Sequence, residues 1–208
     1  KRTPPEIKSL LMNTAETNIQ TDPALLPGSL APITRIGGGE VRVNRAFAST
    51  TAAWDARDRT GSLSFGYHAL AEPQWYERAV VVRNYGKSWR TYSITPSFRY
   101  ADDAVSGAVK LYVPGHISVA PRGTRTFNVR LKVDPGKLPI WTLNGGSRGG
   151  DGPGLQGVEF DGYIHISDGR DNVHLAWQIL PHRAADVEIE GRHGRHDGDD
   201  CGDVSLHQ

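Results

Sequence analysis

The chain has 208 residues, of which 38% are hydrophobic and 23% charged, and its formal net charge at pH 7 is +1. These values predict a folded, core-forming protein. The near-zero net charge gives no indication of a surface that binds nucleic acid or an acidic membrane. No apolar run approaches the roughly 20 residues of a membrane span. A single cysteine, Cys201, excludes an internal disulfide framework and a zinc cluster built from cysteines.

The first predicted element is a helix from Thr3 to Ala15. Thr3 is a suitable N-cap, Pro4 falls at the first helical position, and Glu6 completes a capping box. An apolar face then recurs at helical spacing, through Ile7, Leu10, Leu11, Thr14 and Ala15. We expect this face to pack on a later part of the chain or to contact a neighbour outside it.

A proline-rich loop is predicted from Asp22 to Glu40, and Val41 to Ala48 gives a second, shorter helical signal. Three glycines, Gly37 to Gly39, precede that signal. Glycine allows backbone angles and close approaches that a side chain forbids, so we expect one of these at this position.

From about Thr51 to Glu190 the hydrophobic period changes to two. The stretch Arg125–Val133 alternates without a fault, which predicts a half-buried antiparallel strand. Six further strands are predicted at Ser62–Gly66, Arg78–Asn84, Arg90–Ser97, Val109–Val113, Val158–Ser167 and Val173–Leu180. Seven short strands with turn sequences between them predict a mainly β fold, a seven-stranded antiparallel β-sandwich of fibronectin-III or immunoglobulin type.

Three tryptophans receive different predictions. Trp177 lies in an otherwise apolar strand and is expected to be the large aromatic of the core. Trp54 and Trp75 are expected to lie in loops and to seal the edges of the fold.

A glycine-rich loop, Asn144 to Gly154, invites comparison with phosphate-binding loops. It lacks the Lys-Ser/Thr ending of a P-loop and opens no helix, so a flexible surface loop is favoured. Ser147 within it has no histidine placed beside it as a base.

The tail, Gly191 to Gln208, is polar and without a pattern, and we interpret it as a linker or the start of another module. It holds metal-ligand residue types at close spacing, namely His193, His196, Asp197, Asp199, Asp200 and Cys201. A zinc, nickel or calcium site is conceivable there, but a site needs a rigid frame with converging ligands, so solvated charge is favoured.

Isolated polar residues on the predicted strands are interpreted as structural. His165 and His174 are more often satisfied structural residues than ligands, and Asp161-Gly162 is typical of a bulge or a tight bend. Since no partner for these groups is visible, the sequence assigns no catalytic, cofactor-binding or metal-binding residue.

Two stretches near the start resemble the subtilisin-like serine proteases (subtilases). Pro5–Ala15 resembles the helix that follows the catalytic-serine helix, with the pattern P-x-x-I-K-x-x-L-M-x-T-A. Gly37–Ala46 is similar to the segment G-x-G-x-V-x-V-x-x-A that closes the same catalytic domain.

Later stretches resemble the fibronectin-III-like domain that follows the catalytic domain in long subtilases. They are Leu63–Gly66, Val80–Gly86, Thr91–Tyr92, Phe160–Ile164 and Leu175–Pro181. Ala176 stands where the family usually has proline. The resemblance covers about Thr3 to Val187, with its motifs in the family's order.

The resemblance implies a parent that is a secreted or cell-surface serine endopeptidase. The family's Asp, His, Ser and oxyanion-hole Asn motifs lie upstream of Lys1, and none of Asp102, Ser147 or His165 lies in a matching motif. This chain is therefore expected to be inactive alone, to need no cofactor, and to serve the catalytic domain by stabilising it or framing its peptide substrate.

The implied division is 1–50 as the end of the catalytic domain, 51–190 as the fibronectin-III-like sandwich and 191–208 as a linker. The alternative is a stand-alone binding or adhesion module unrelated to proteolysis. An exposed apolar face on the first helix favours the protease, and burial of that helix within its own domain favours the stand-alone module.

Overall fold

The computed structural model describes residues 2–140, 158–184, 188–189 and 206–207. Four α-helices occur in this part of the chain, α1 Pro4–Asn13, α2 Ile33–Ile36, α3 Val43–Ala48 and α4 Ala101–Ser106, with one 3₁₀-helix, Pro135–Lys137. The strands are β1 Thr51–Asp55, β2 Ser62–Leu70, β3 Gln74–Asn84, β4 Arg90–Phe98, β5 Val109–Tyr112, β6 His116–Val119, β7 Thr124–Val133, β8 Phe160–Ser167, β9 Asn172–Arg183, β10 Glu188–Ile189 and β11 Leu206–His207.

Nine of these strands form a β-sandwich. One sheet has four strands in the order β1-β3-β7-β5, the other has five in the order β2-β9-β8-β4-β6, and β10 pairs with β11. The sandwich and the short preceding helix are as predicted, but the prediction of an all-antiparallel sheet is wrong, because β2 pairs with β9 in parallel. Parallel neighbours need a long connection, and here more than a hundred residues separate the two strands.

The two sheets bury one shared core. On β7 the alternating residues Phe127, Val129, Leu131 and Val133 all face it, as predicted. Trp177 is fully buried, which confirms it as the large core aromatic. Its indole N–H donates to the carbonyl of Ser97 at 3.1 Å, so the one polar atom of the ring is satisfied.

All seven predicted strands are present, several with longer bounds, and two strands of the sandwich were missed. Trp54 lies on the missed strand β1 and Trp75 lies on β3, so the prediction that both occupy loops is wrong. The expected bulge at Asp161-Gly162 is also wrong. Gly162 is instead needed because a Cβ there would lie 2.0 Å from the carbonyl oxygen of Ser97 on β4.

Helix α1 begins as predicted, with the Thr3 N–H donating to the Glu6 carboxylate at 2.7 Å. Its buried side chains are Ser9, Leu10 and Asn13, and it packs on β1, β9 and α3. The apolar face is therefore divided. Leu10 joins a small cluster with Ala46 and Ala52, whereas Ile7 remains 47% exposed.

Residues 14–42, which we call the N-terminal arm, pass over the outer face of the five-stranded sheet. Ile33 of the arm packs with Tyr163 and Ala176 of that face. The helix α2 lies inside the predicted loop from Asp22 to Glu40, so that loop is not wholly irregular.

The predicted close approach at the glycine triplet is confirmed. The backbones of Glu16 and Glu40 exchange N–H···O bonds of 2.8 and 2.9 Å. This pairing brings Gly39, at φ +114°, so near to the chain just beyond α1 that a Cβ would lie 2.3 Å from the Glu16 carbonyl oxygen. At Gly38 a Cβ would lie 3.0 Å from that of Met12.

The glycine-rich loop Asn144–Gly154, including Ser147, lies outside the described residues. The same holds for the metal-ligand residue types considered in the tail, namely His193, His196, Asp197, Asp199, Asp200 and Cys201. Within the described part, no helix is long and apolar enough to span a membrane.

Candidate functional site beneath the N-terminal arm

Polar side chains gather on the outer face of the five-stranded sheet, where the arm crosses it. His165 on β8 and His174 on β9 are direct partners in the antiparallel register. The ring of Tyr163 lies near both, with centroid distances of 6.0 and 5.1 Å. Both predicted strand histidines therefore belong to one cluster.

His165 forms a hydrogen bond with Ser97, a residue that the sequence did not single out. Ser97 Oγ and His165 Nε2 lie 2.9 Å apart, and the serine comes from the neighbouring strand β4. Burial lowers the pKa of His165, so the imidazole is neutral near pH 7. A serine beside a neutral histidine has the residue types of a nucleophile and its base.

A hydrolytic triad also needs a group that orients the histidine. Among the described residues, no side chain forms a hydrogen bond with the other nitrogen of His165. Asp161, the nearest carboxylate along β8, instead accepts the backbone N–H of Ile33 at 2.6 Å. The geometry of this cluster therefore supports a structural role for Ser97 and His165 more than catalysis.

His174 connects the sheet to the glycine triplet. Its Nε2 lies 3.2 Å from the carbonyl oxygen of Gly38, and since that oxygen only accepts, Nε2 carries the proton. Burial lowers the pKa of His174 to about 4, more than the hydrogen bond to Gly38 raises it. The neutral ring thus serves as a hydrogen-bond donor to the arm at ordinary pH.

Arg99, just beyond β4, holds the arm by its backbone. Its guanidinium donates to the carbonyl of Thr17 at 3.0 Å, to that of Ile19 at 3.1 Å and to that of Ala31. It also donates to the hydroxyl of Tyr163 at 2.9 Å. One cation therefore satisfies three carbonyl groups of a segment with little secondary structure of its own.

Asp161 anchors the arm at a second position. One of its carboxylate oxygens accepts the Ile33 N–H, the first amide of α2, and satisfies an orphan donor of that helix. The other oxygen is buried and has no hydrogen-bond partner among the described residues. Burial raises the pKa of Asp161 to about 6, although the hydrogen bond from Ile33 and the charge of Arg99 oppose this rise.

Asp103 on α4 is a second buried carboxyl group near the same corner. It is 6% exposed, and its Oδ2 has no hydrogen-bond partner among the described residues. Burial, together with the charges of Asp102 and Asp161, raises its pKa to about 8. Two carboxyl groups are thus held partly protonated near neutral pH, which sequence reasoning missed because both depend on burial.

Metal binding has no support in the described residues, where no group of three or more His, Cys, Asp or Glu side chains is placed to hold an ion. Asp102, one of the residues weighed from sequence, is exposed on the first turn of α4.

A separate cluster fixes residues 50 and 51 to the sandwich. Arg90, 6% exposed, donates to Asp168 at 2.8 Å and to Asp171 at 2.7 Å. It also donates to the hydroxyl groups of Thr50 and Thr51. Burial alone would raise the pKa of Asp168, but the hydrogen bonds from Arg90 and from backbone amides outweigh it and lower that pKa.

The helices α1 and α3 also carry exposed apolar side chains. On α3, Val43 and Phe47 are one turn apart and are 67% and 87% exposed, while Ala46 faces α1. With Ile7 of α1 they make up what we call the helical patch. Contiguous exposed apolar surface is typical of a contact with another protein, whereas single exposed apolar side chains are common on any protein.

No protein-family model matches this chain, and no curated protein matches it. Among solved structures, tripeptidyl peptidase 2 is similar over 91% of this chain and 14% of its own chain, with 13% identity and a TM-score of 0.46. A FixG-related protein from Vibrio parahaemolyticus covers 63% of this chain and 94% of its own, with 12% identity and a TM-score of 0.38. The PapD-like domain 7 of human CEP192 covers 66% and 89%, with 11% identity and a TM-score of 0.36. Likenesses this distant establish no family for this chain.

Proposed function

We propose that this chain is the C-terminal, non-catalytic portion of a secreted subtilisin-like serine endopeptidase. In this proposal residues 1–50 complete the catalytic domain, residues 51–190 form a fibronectin-III-like sandwich, and 191–208 is a linker. The sandwich stabilises the catalytic domain or frames its peptide substrate. The proposal rests on the subtilase-like sequence stretches and on how two of them meet in the fold.

The supporting observation is that the two N-terminal stretches form one unit. Pro5–Ala15 supplies most of α1, and Gly37–Ala46 supplies the glycine triplet and the first part of α3. They join through packing of Leu10 on Ala46, and through the backbone pair of Glu40 with Glu16, the residue that follows the first stretch. Stretches that both resemble the end of one catalytic domain are expected to be neighbours in space.

The helical patch gives the proposal a surface for the missing partner. Ile7, Val43 and Phe47 come from the same two stretches and are exposed. A catalytic domain packed on α1 and α3 would remove this apolar area from water, and each fully buried large side chain contributes about 1.5–3 kcal/mol.

The proposal is tested by the codons that precede the one for Lys1. They are expected to encode Gly-Thr-Ser-x-Ala-x-Pro within some tens of residues. The chain on its own is expected to hydrolyse no peptide. An upstream sequence without that motif contradicts the proposal, and so does hydrolysis by this chain that a covalent serine inhibitor abolishes.

The second candidate is a stand-alone binding or adhesion module. One observation favours it: α1 buries Ser9, Leu10 and Asn13 within its own domain and does not lie free of the sandwich. Replacing Phe47 by Asp separates the two. In the protease the change weakens association of the catalytic domain with this chain, whereas in a stand-alone module it only makes the surface more soluble.

A further inference from the structure

The outer face of the four-stranded sheet carries an exposed aromatic pair. Trp75 on β3 and Tyr112 on β5 are each 46% exposed, and their ring centroids lie 5.2 Å apart across β7. A large aromatic side chain that stays about half exposed on a sheet forgoes part of the stabilisation that full burial would give. Its placement beside a second exposed ring therefore suggests contact with another molecule.

Two rows of side chains cross this face. In register, Trp75 pairs with Lys132 and Lys132 with Lys110, while Glu77 pairs with Arg130 and Arg130 with Tyr112. We call the set the Trp75 platform; its members are Trp75, Glu77, Lys110, Tyr112, Arg130 and Lys132. Because alternate residues share a face, all six point outward while Leu131 and Val133 enter the core.

Cations fix the position of the tryptophan. The guanidinium carbon of Arg130 lies 4.7 Å from the centroid of Trp75, and Nζ of Lys132 lies 5.7 Å from it. Both distances fall within the range of a cation–π contact. These contacts restrict the orientation of the ring before any ligand arrives, which lowers the entropy lost on binding.

The platform has an excess of positive charge. Three cations, Lys110, Arg130 and Lys132, lie with one carboxylate, Glu77. That carboxylate is already engaged, since it accepts from Asn128 at 2.8 Å and lies 3.7 Å from Arg130. Neighbouring strands are about 4.8 Å apart and alternate residues about 6.8 Å apart, so the three cationic side chains start from Cα atoms at about these spacings.

We propose that the Trp75 platform binds an acidic polysaccharide, one that carries carboxylate or sulfate groups on its pyranose rings. The apolar C–H face of a pyranose packs on the part of the Trp75 and Tyr112 rings that stays exposed. The acidic groups pair with Lys110 and with the cations that lie against the tryptophan. Nucleic acid fits less well because binding to it needs a broad basic footprint, and the formal net charge of the whole chain is only +1. This inference is independent of the proposed protease role.

The test measures retardation of the purified chain in native gels that contain polygalacturonate, heparin or neutral dextran, with an oligothymidylate strand as a separate probe. We expect polygalacturonate or heparin to retard the chain, dextran to have no effect, and added salt to weaken the retardation. Trp75→Ala is expected to weaken binding about tenfold, the loss of 1.4 kcal/mol that is common for a central aromatic contact.

Trp89→Ala is the matched control, because Trp89 is 68% exposed outside the platform, and this variant is expected to bind as the unaltered chain does. If Trp75→Ala does not fold, the surface double variant Lys110→Gln with Lys132→Gln decides the matter, and it too is expected to lose binding. The proposal is overturned if neither acidic glycan retards the chain, if the platform variants bind as tightly as the control, or if only oligothymidylate binds.

Discussion

Asn13, at the end of α1, donates through its side-chain amide to the backbone carbonyl of His174, 161 residues further along, at 2.9 Å. The side-chain oxygen Oδ1 of Asn13 accepts the backbone N–H of Ala53 on β1 at 2.8 Å. One fully buried amide thus joins the N-terminal helix to both sheets of the sandwich. This explains how a ten-residue helix, marginal by itself, is held in place.

Asn13→Ala is expected to destabilise the chain by about 2–4 kcal/mol, because it leaves one buried donor and one buried acceptor without partners. Urea denaturation of the purified chain measures the effect. Asn18→Ala, at an exposed position of the arm, serves as the control and is expected to change stability by less than about 0.5 kcal/mol. Equal midpoints for the two variants would contradict the role given to Asn13.

Gly39→Ala is expected to destabilise the chain by roughly 2–4 kcal/mol, since the new Cβ would both strain a positive φ and overlap the Glu16 carbonyl. Gly28→Ala separates the two causes. Gly28 also has a positive φ, of +83°, but has open space around it. Its replacement by alanine is therefore expected to lower the free energy of unfolding through backbone strain alone, by about 1 kcal/mol. Thermal unfolding of both variants checks the difference, and a Gly39 variant no weaker than the Gly28 variant refutes the close approach.

The buried carboxyl groups predict a pH dependence of stability. Asp103 and Asp161 have pKa values raised to about 8 and about 6, above the value of about 3.9 for unfolded Asp. The folded chain therefore holds more protons than the unfolded chain between these values. Their contribution to the free energy of unfolding should therefore fall as pH rises from about 4 to about 8. His174, whose pKa is lowered to about 4, contributes in the opposite sense up to about pH 6.5, so the net fall is expected between about pH 6.5 and 8.

Asp103→Asn removes one of these groups and should make the chain more stable at pH 8, by roughly 1–3 kcal/mol, with little change at pH 4. Urea midpoints measured at both pH values test this. Glu72→Gln, in the exposed turn between β2 and β3, is the control and should leave the pH profile unchanged. A profile of the Asp103 variant that parallels the unaltered chain would show that this carboxyl group is not protonated in the fold.

The strands with period-two alternation were predictable from sequence because one face of each must be buried. β7 is the clearest case, with its apolar residues all on the core side. β1 was missed because its central residues are small on both faces, Ala53 in the core and Ala52 against Leu10 of α1. The parallel pairing of β2 with β9 leaves no local signal, since register between distant strands is set by tertiary packing.

Most contacts of the candidate site could not be predicted from the sequence, because they join residues that are far apart along the chain. Ser97 and His165 are 68 residues apart and meet only through the β4–β8 register. The partner of Asp161 is a backbone amide 128 residues away, which no side-chain pattern records. By contrast, the glycine triplet was interpretable, because glycine at a close approach is required by backbone geometry alone.

Labelling with a fluorophosphonate probe, followed by mass spectrometry, tests the central claim most directly. It is applied to this chain and to the product of the whole gene. The account predicts that the isolated chain remains unlabelled and that the longer product is labelled on a serine upstream of Lys1. Labelling of Ser97 would contradict it by placing the nucleophile beside His165, and so would a longer product that takes no label at all.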